Sequence, residues 1–133
     1  MLRKALLIGV LALAGTQTAF ATSWLSCSNE DAALELRLLL GGDEMMGPVA
    51  ATIALDSLRF TTDPAYGEGT PITIAQSYFG PTLTQVDLRD GAVDQMVAQL
   101  RLVSDEEGGM FARAGTLRLH GHGAWPVICA EGE

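Results

Sequence analysis

Hydrophobic and polar residues alternate with a period of two along much of this chain. In LELRLLL, residues 34–40, leucines occupy one face of an extended chain, while Glu35 and Arg37 occupy the other. Because successive side chains of a β-strand point to opposite faces of the sheet, this pattern predicts a strand with one buried face. The same alternation predicts further strands in VAATIAL, PITIAQSYF, TLTQVDL, MVAQLRLV and MFARAGTLRL.

The segments between these strands carry turn residues. Gly80-Pro81 separates two of them, and SDEEGG, residues 104–109, is a polar loop that fits a β-hairpin. At Asp56-Ser57 the alternation slips by one residue, which predicts a β-bulge. Pro126 places the closing segment AWPVIC at a sheet edge or a bulge, because proline donates no hydrogen bond. Short strands at regular spacing predict an all-β fold, a small antiparallel β-sandwich or barrel.

Two segments are also compatible with a short helix. Residues 28–40 offer a helix cap at Ser28 or Asn29, acids in a first turn and a double glycine after the end. Residues 90–100 place apolar side chains at helical spacing, namely Val93, Met96, Val97 and Leu100. We favour a strand for both segments, because the leucine alternation is strict in the first and resumes near Met96 in the second.

The first 21 residues have the organisation of a secretory signal peptide. Arg3 and Lys4 precede an apolar run at residues 5–14, and Ala19-Phe20-Ala21 forms a small-x-small cleavage site. As a helix the apolar run would be about 15 Å long, half the thickness of a bilayer's hydrocarbon core. We therefore predict a single exported β-rich domain, residues 22–133, that is periplasmic or secreted and has no transmembrane segment.

The predicted mature chain has two cysteines, Cys27 and Cys129, one near each end. An even number in an exported chain predicts a disulfide that joins the terminal segments. This bond would close a loop of roughly 100 residues, and the chain-entropy model predicts that it stabilises the folded state by about 4–5 kcal/mol. Lipidation of Cys27 is the alternative. It is disfavoured because Trp24 stands where such sites usually carry leucine, and polar GTQT separates the cysteine from the apolar run.

The net negative charge of the chain disfavours some classes of binding partner and favours others. The chain has 8 basic and 16 acidic residues, a net charge of −8, and without Arg3 and Lys4 six arginines face all sixteen acids, which gives −10. Phosphates repel such a surface, so nucleic acid and anionic membranes are disfavoured. The charge favours the steering of a cationic protein, and it also keeps a small domain in solution.

The histidines suggest a metal site. His120 and His122 are the two histidines of the chain, and on a strand residues two apart point to the same side. Two such imidazoles suit copper or zinc. A zinc site, however, needs three or four protein ligands, and the sequence indicates no third one. The alternative is two polar residues on a solvent-exposed face.

Aromatic residues in loops suggest a protein-binding site. Tyr66 lies in TTDPAYGEGTP, and Tyr78 and Phe79 stand beside the Gly80-Pro81 turn. Exposed aromatic side chains dominate many protein interfaces, although these could instead fold back onto the sheet. The chain has no nucleophile elbow, phosphate loop or zinc-protease motif. We therefore predict a non-enzymatic binding domain without a cofactor, with copper or zinc binding as the second hypothesis.

Overall fold

The computed structural model describes residues 22–41 and 47–132, so the predicted signal peptide, residues 1–21, lies outside the described residues. The described residues form nine strands: β1 Ser23–Ser28, β2 Leu34–Leu40, β3 Pro48–Leu55, β4 Leu58–Thr61, β5 Thr70–Phe79, β6 Leu83–Asp90, β7 Met96–Glu107, β8 Met110–Leu119 and β9 Gly123–Gly132. One 3-10 turn, Pro64–Tyr66, lies between β4 and β5. In this part of the chain no helix is long and apolar enough to cross a membrane.

The nine strands form a closed barrel. Each strand pairs with the next one in the chain, and β9 pairs with β1. All pairs are antiparallel except β4 and β5, which share a short parallel ladder. The prediction of an all-β fold is confirmed, and of the two architectures it is the barrel. Both segments with helical alternatives contain strands, β2 and β7.

The barrel interior is filled by the apolar side chains that the alternation predicts. Fully buried leucines come from five strands, namely Leu25, Leu34, Leu36, Leu38, Leu88, Leu100, Leu117 and Leu119. Each contributes about 1.5–3 kcal/mol through removal of its surface from water. Because inward and outward positions alternate on every strand, the outer face of the barrel carries most of the polar residues.

Two turns differ from the sequence prediction. Asp56-Ser57 is not a bulge: Leu55 pairs with Leu58, so these two residues form the tight turn between β3 and β4, with Asp56 at φ 49°. β7 and β8 form the expected hairpin, but its loop is only Gly108-Gly109, at φ 58° and 81°. Positive φ at both positions suits a tight two-residue turn. Residues 105–107 consequently belong to β7.

The predicted disulfide joins the first and last strands. Cys27 and Cys129 lie directly opposite each other on β1 and β9, with Cα atoms 4.0 Å apart. Their bond therefore crosses the seam at which the barrel closes. Pro126 lies on β9 beyond the end of β1, where the ladder pairs β9 with β8 alone, in agreement with the predicted edge position.

Candidate functional site

The two histidines lie in the turn between β8 and β9 and not on a strand. Leu119 pairs with Gly123, and the His122 N–H donates to the Leu119 carbonyl over 3.0 Å. The expected arrangement of two imidazoles on one strand face is therefore wrong. His120 Nε2 lies 3.1 Å from Gln99 Oε1. Residues 22–41 and 47–132 contain no group of three or more His, Cys, Asp or Glu side chains that could hold a metal ion.

Tyr66 packs against the outside of the barrel. Its ring meets that of Trp24, on β1, edge to face with centroids 5.6 Å apart. The Arg37 guanidinium lies 4.5 Å from the centroid of the Trp24 ring. Aromatic pairs contribute about 0.5–1.5 kcal/mol and exposed cation–π contacts about 0.5–1 kcal/mol. These contacts hold the β4–β5 connection onto β1, so Tyr66 has a structural role and remains 44% exposed.

Tyr78 and Phe79 end β5 and point to opposite faces. Phe79 is half-buried and packs against the barrel core. Tyr78 is 57% exposed and lies opposite Gln85 on the outer face of β6. Of the three aromatic residues that the sequence suggested as anchors, Tyr78 is therefore the one that presents most of its ring to solvent.

The strand register brings four exposed apolar side chains into one line. Leu83 on β6 pairs with Val103 on β7, Val103 pairs with Ala114 on β8, and Ala114 pairs with Ile128 on β9. Leu83, Val103 and Ile128 are 48%, 59% and 73% exposed. With neighbouring strands about 4.8 Å apart, this apolar row (Leu83, Val103, Ala114 and Ile128) runs about 14 Å across the outer face. Tyr78 lies diagonally beside Leu83, because its partner Gln85 follows Leu83 on the same face.

Three consecutive carboxylates end the strand that carries Val103. Asp105, Glu106 and Glu107 end β7 at the tip of the β7–β8 hairpin and are all exposed; we call them the acidic tip. Asp105 lies about 7 Å from Val103 along the same face of β7. Within residues 22–41 and 47–132 the ion pairs are Arg37–Glu35, Arg101–Asp87 and Arg113–Glu131. No arginine of this part therefore pairs with the acidic tip.

Arg101 lies on the side of the row opposite to the acidic tip, and its charge is already paired with a carboxylate. Arg101 Nη2 lies 2.8 Å from Asp87 Oδ1. The contact is an ion pair without hydrogen-bond geometry, since Asp87 Oδ1 accepts no hydrogen bond. Arg101 instead donates to the Leu100 carbonyl over 2.8 Å. The outer face of β6–β9 thus combines an apolar row with a local concentration of negative charge at the acidic tip.

β8 and β9 separate at the end of the barrel that carries the acidic tip. Their ladder ends at Ala114 and Ile128, and beyond it β8 continues beside β7 while β9 continues beside β1. A cavity of about 370 Å³ opens between them and is lined by Leu25, Phe111, Arg113, Cys129, Ala130 and Glu131. We call this opening the β8–β9 cleft.

One largely buried arginine crosses the cleft. Arg113 Nε donates to Ser104 Oγ over 3.1 Å, and its Nη1 lies 3.5 Å from Glu131 Oε1. Its guanidinium also lies 5.0 Å from the centroid of the Phe111 ring. No sequence pattern indicates this cleft, because it depends on which strand each edge pairs with.

The chain is thus a small disulfide-bonded β-barrel with a filled interior, an apolar row on its outer face and a cleft at one end. Comparisons with protein families, with curated proteins and with solved structures found no match to it. Its function must therefore be inferred from its own surface.

Proposed function

We propose that this protein is an exported, non-enzymatic domain that binds a cationic protein through the apolar row and the acidic tip. The observation that carries the proposal is the alignment of Leu83, Val103, Ala114 and Ile128 on the strands that lead to the acidic tip, whose carboxylates have no arginine partner in the described part of the chain. An apolar centre with a charged rim is the usual anatomy of a protein interface. Tyr78 adds an aromatic side chain at the border of this surface.

The charge of the domain favours a basic partner over a second copy of the chain. Six arginines against sixteen acids leave −10 on residues 22–133, so two copies repel each other. A basic protein is attracted, which raises its association rate most strongly at low ionic strength. The carboxylates of the acidic tip supply this attraction at the border of the apolar contact.

The proposed compartment is the periplasm or the outside of the cell. The disulfide between Cys27 and Cys129 is compatible with an oxidising compartment, where such bonds form and persist. The charged, apolar and small-residue segments of residues 1–21 support export by a cleaved signal peptide.

The test compares two aspartate variants of the exported domain. Val103→Asp places a charge at the centre of the apolar row, and Val49→Asp makes the same change at a 56% exposed valine on β3, away from β6–β9. Aspartate adds a negative charge, which does not repel a basic partner. A loss of binding would therefore result from the loss of the apolar contact. We expect the immobilised domain and Val49→Asp to retain the same basic proteins from an exported-protein fraction, and folded Val103→Asp to lose them. Retention of equal amounts by all three would refute the proposal.

A further inference from the structure

Beyond the ladder of Ala114 and Ile128, β8 and β9 each present an unpaired strand edge to the cleft. Residues 110–113 pair with β7 and residues 129–132 pair with β1, and the ladders of the described residues give neither segment a second neighbour. Unpaired edges of this kind can accept an extended chain as an additional strand. Which backbone groups face the cleft follows from the hydrogen-bond pattern of the two ladders.

On β8 the backbone groups that face the cleft belong to Arg113 and Phe111. The Ser104 N–H donates to the Thr82 carbonyl over 2.9 Å, so the Ser104 backbone faces β6 and not β8. Arg113 lies opposite Ser104, and the two therefore form a non-hydrogen-bonded pair. The N–H and C=O groups of Arg113 consequently point away from β7, and those of Phe111 do the same two residues along the strand.

On β9 the corresponding groups belong to Cys129 and Glu131. The Cα atoms of Cys27 and Cys129 are 4.0 Å apart, which is the short spacing of a non-hydrogen-bonded antiparallel pair, about 4.5 Å. The Cys129 backbone therefore faces away from β1 and into the cleft, and the Glu131 backbone follows with the period of two. The last pair of the β8–β9 ladder, Ala114 and Ile128, is therefore non-hydrogen-bonded and is bounded by a bond from the Cys129 N–H to the Arg113 C=O. The groups left to the cleft are the Arg113 N–H, the Cys129 C=O, and both backbone groups of Phe111 and Glu131.

The side chains around the cleft select the charge of its occupant. Glu131 lines the cavity, and the acidic tip lies at the nearby end of β7. Arg113 is the one arginine in the lining, so carboxylates outnumber positive charges around the cleft. The inner wall is apolar, since Leu25 and Cys129 are buried and line the same cavity. An extended segment with alternating basic and apolar side chains matches this arrangement, because it presents the two kinds of side chain to opposite sides.

We propose that the β8–β9 cleft binds an extended basic segment of the cationic partner as an added strand, held by the backbone groups of Phe111 and Glu131, the Arg113 N–H and the Cys129 C=O. This inference rests on the proposed function, since it names how the same partner is held. The contact between Arg113 and Glu131 closes the empty cleft, and a lysine or arginine of the segment replaces Arg113 at that carboxylate.

The first experiment uses the peptide acetyl-Lys-Val-Lys-Val-Lys-Val-amide, a second peptide with N-methylated valines, and a third with glutamate in place of lysine. We expect saturable binding of the first by fluorescence anisotropy, and affinities lower by at least about tenfold for the other two. In the bound wild-type domain, hydrogen exchange should slow at the amides of Arg113 and Glu131 and stay unchanged at Ala112 and Ala130, which already bond to β7 and β1. Absence of saturable binding below about 1 mM, equal binding of the N-methylated peptide, or protection elsewhere overturns the proposal.

The second experiment uses two changes at one residue of the intact domain. Glu131→Pro removes an N–H from the cleft without removing a bond to β1, whereas Glu131→Gln removes the charge and keeps the N–H. We expect the proline variant to weaken peptide binding by at least about tenfold and the glutamine variant by only about two- to threefold. If Val103→Asp abolishes retention of basic proteins while folded Glu131→Pro leaves it intact, the cleft proposal fails and the proposed function stands. If Val103→Asp changes nothing, the proposed function itself fails.

Discussion

Replacing Cys27 and Cys129 by alanine removes the covalent link between the first and last strands. The two residues are 102 positions apart, so the bond constrains nearly all of the described chain in its unfolded state. The chain-entropy model gives about 4.7 kcal/mol of stabilisation at 25 °C for a loop of this length. Loss of two buried sulfur atoms adds about 1 kcal/mol, because the neighbouring leucines close only part of the space. We therefore expect the double-alanine variant to lose about 5–6 kcal/mol of unfolding free energy.

This loss is large compared with the total stability of about 5–15 kcal/mol that small domains have. For a domain of this size it corresponds to a fall of about 20 °C in the melting temperature. The assay is urea unfolding of residues 22–133, followed by the fluorescence of Trp24 and Trp125. The slope of unfolding free energy against urea should also rise, since the unfolded chain without its crosslink exposes more surface. Ser26→Ala, at the outward position between β2 and β9, is the control and should cost less than about 0.5 kcal/mol.

This expectation is refuted if the unfolding free energy of the folded double-alanine variant falls by less than about 2 kcal/mol and its dependence on urea is unchanged. The unfolded chain would then hold its ends together without the disulfide, and closure of the barrel would not depend on the bond.

Three further changes test separate parts of the structure. Gly115→Ala should cost at least about 2 kcal/mol in urea unfolding, because a Cβ atom there meets the backbone of β7, whereas Gly132→Ala has open space and should cost almost nothing. Tyr66→Ala should cost about 1 kcal/mol by the same assay and Tyr66→Phe much less, because the ring provides the contact with the barrel. Calorimetric titration with copper and zinc should show no tight site, since the described residues group no third His, Cys, Asp or Glu side chain with the turn histidines. Tight binding that disappears in a His120→Ala, His122→Ala variant would instead establish the metal hypothesis.

Much of the fold could be predicted because its strands carry strict alternation. The leucines of β2 show one buried face, and the barrel buries Leu34, Leu36 and Leu38 completely. The two cysteines likewise placed the first and last segments together. The choice between sandwich and barrel could not be made, because it depends on whether β9 pairs with β1, a contact between distant parts of the chain.

The surface features were harder to predict because they depend on register and on the paths of connections. Val103 and Ile128 each appear as a single apolar residue among polar outward positions, and only the cross-strand pairs bring them into one row. Tyr66 and Tyr78 looked alike in the sequence, since nothing local showed that one of them contacts β1. The turn at the histidines did carry a signal: glycines at 121 and 123 favour a turn over a continuous strand, and both have positive φ.

We propose above that the apolar row and its negative border bind a basic protein. The most direct test of this proposal is the affinity of one retained basic protein, once purified, for the wild-type domain, Val103→Asp and Val49→Asp, measured by surface plasmon resonance at two salt concentrations. We predict a loss of at least about tenfold for Val103→Asp and less than about twofold for Val49→Asp. We also predict a steep fall in the association rate between about 50 and about 500 mM salt. Equal affinities for the two variants, or an association rate that does not depend on salt, would contradict the claim.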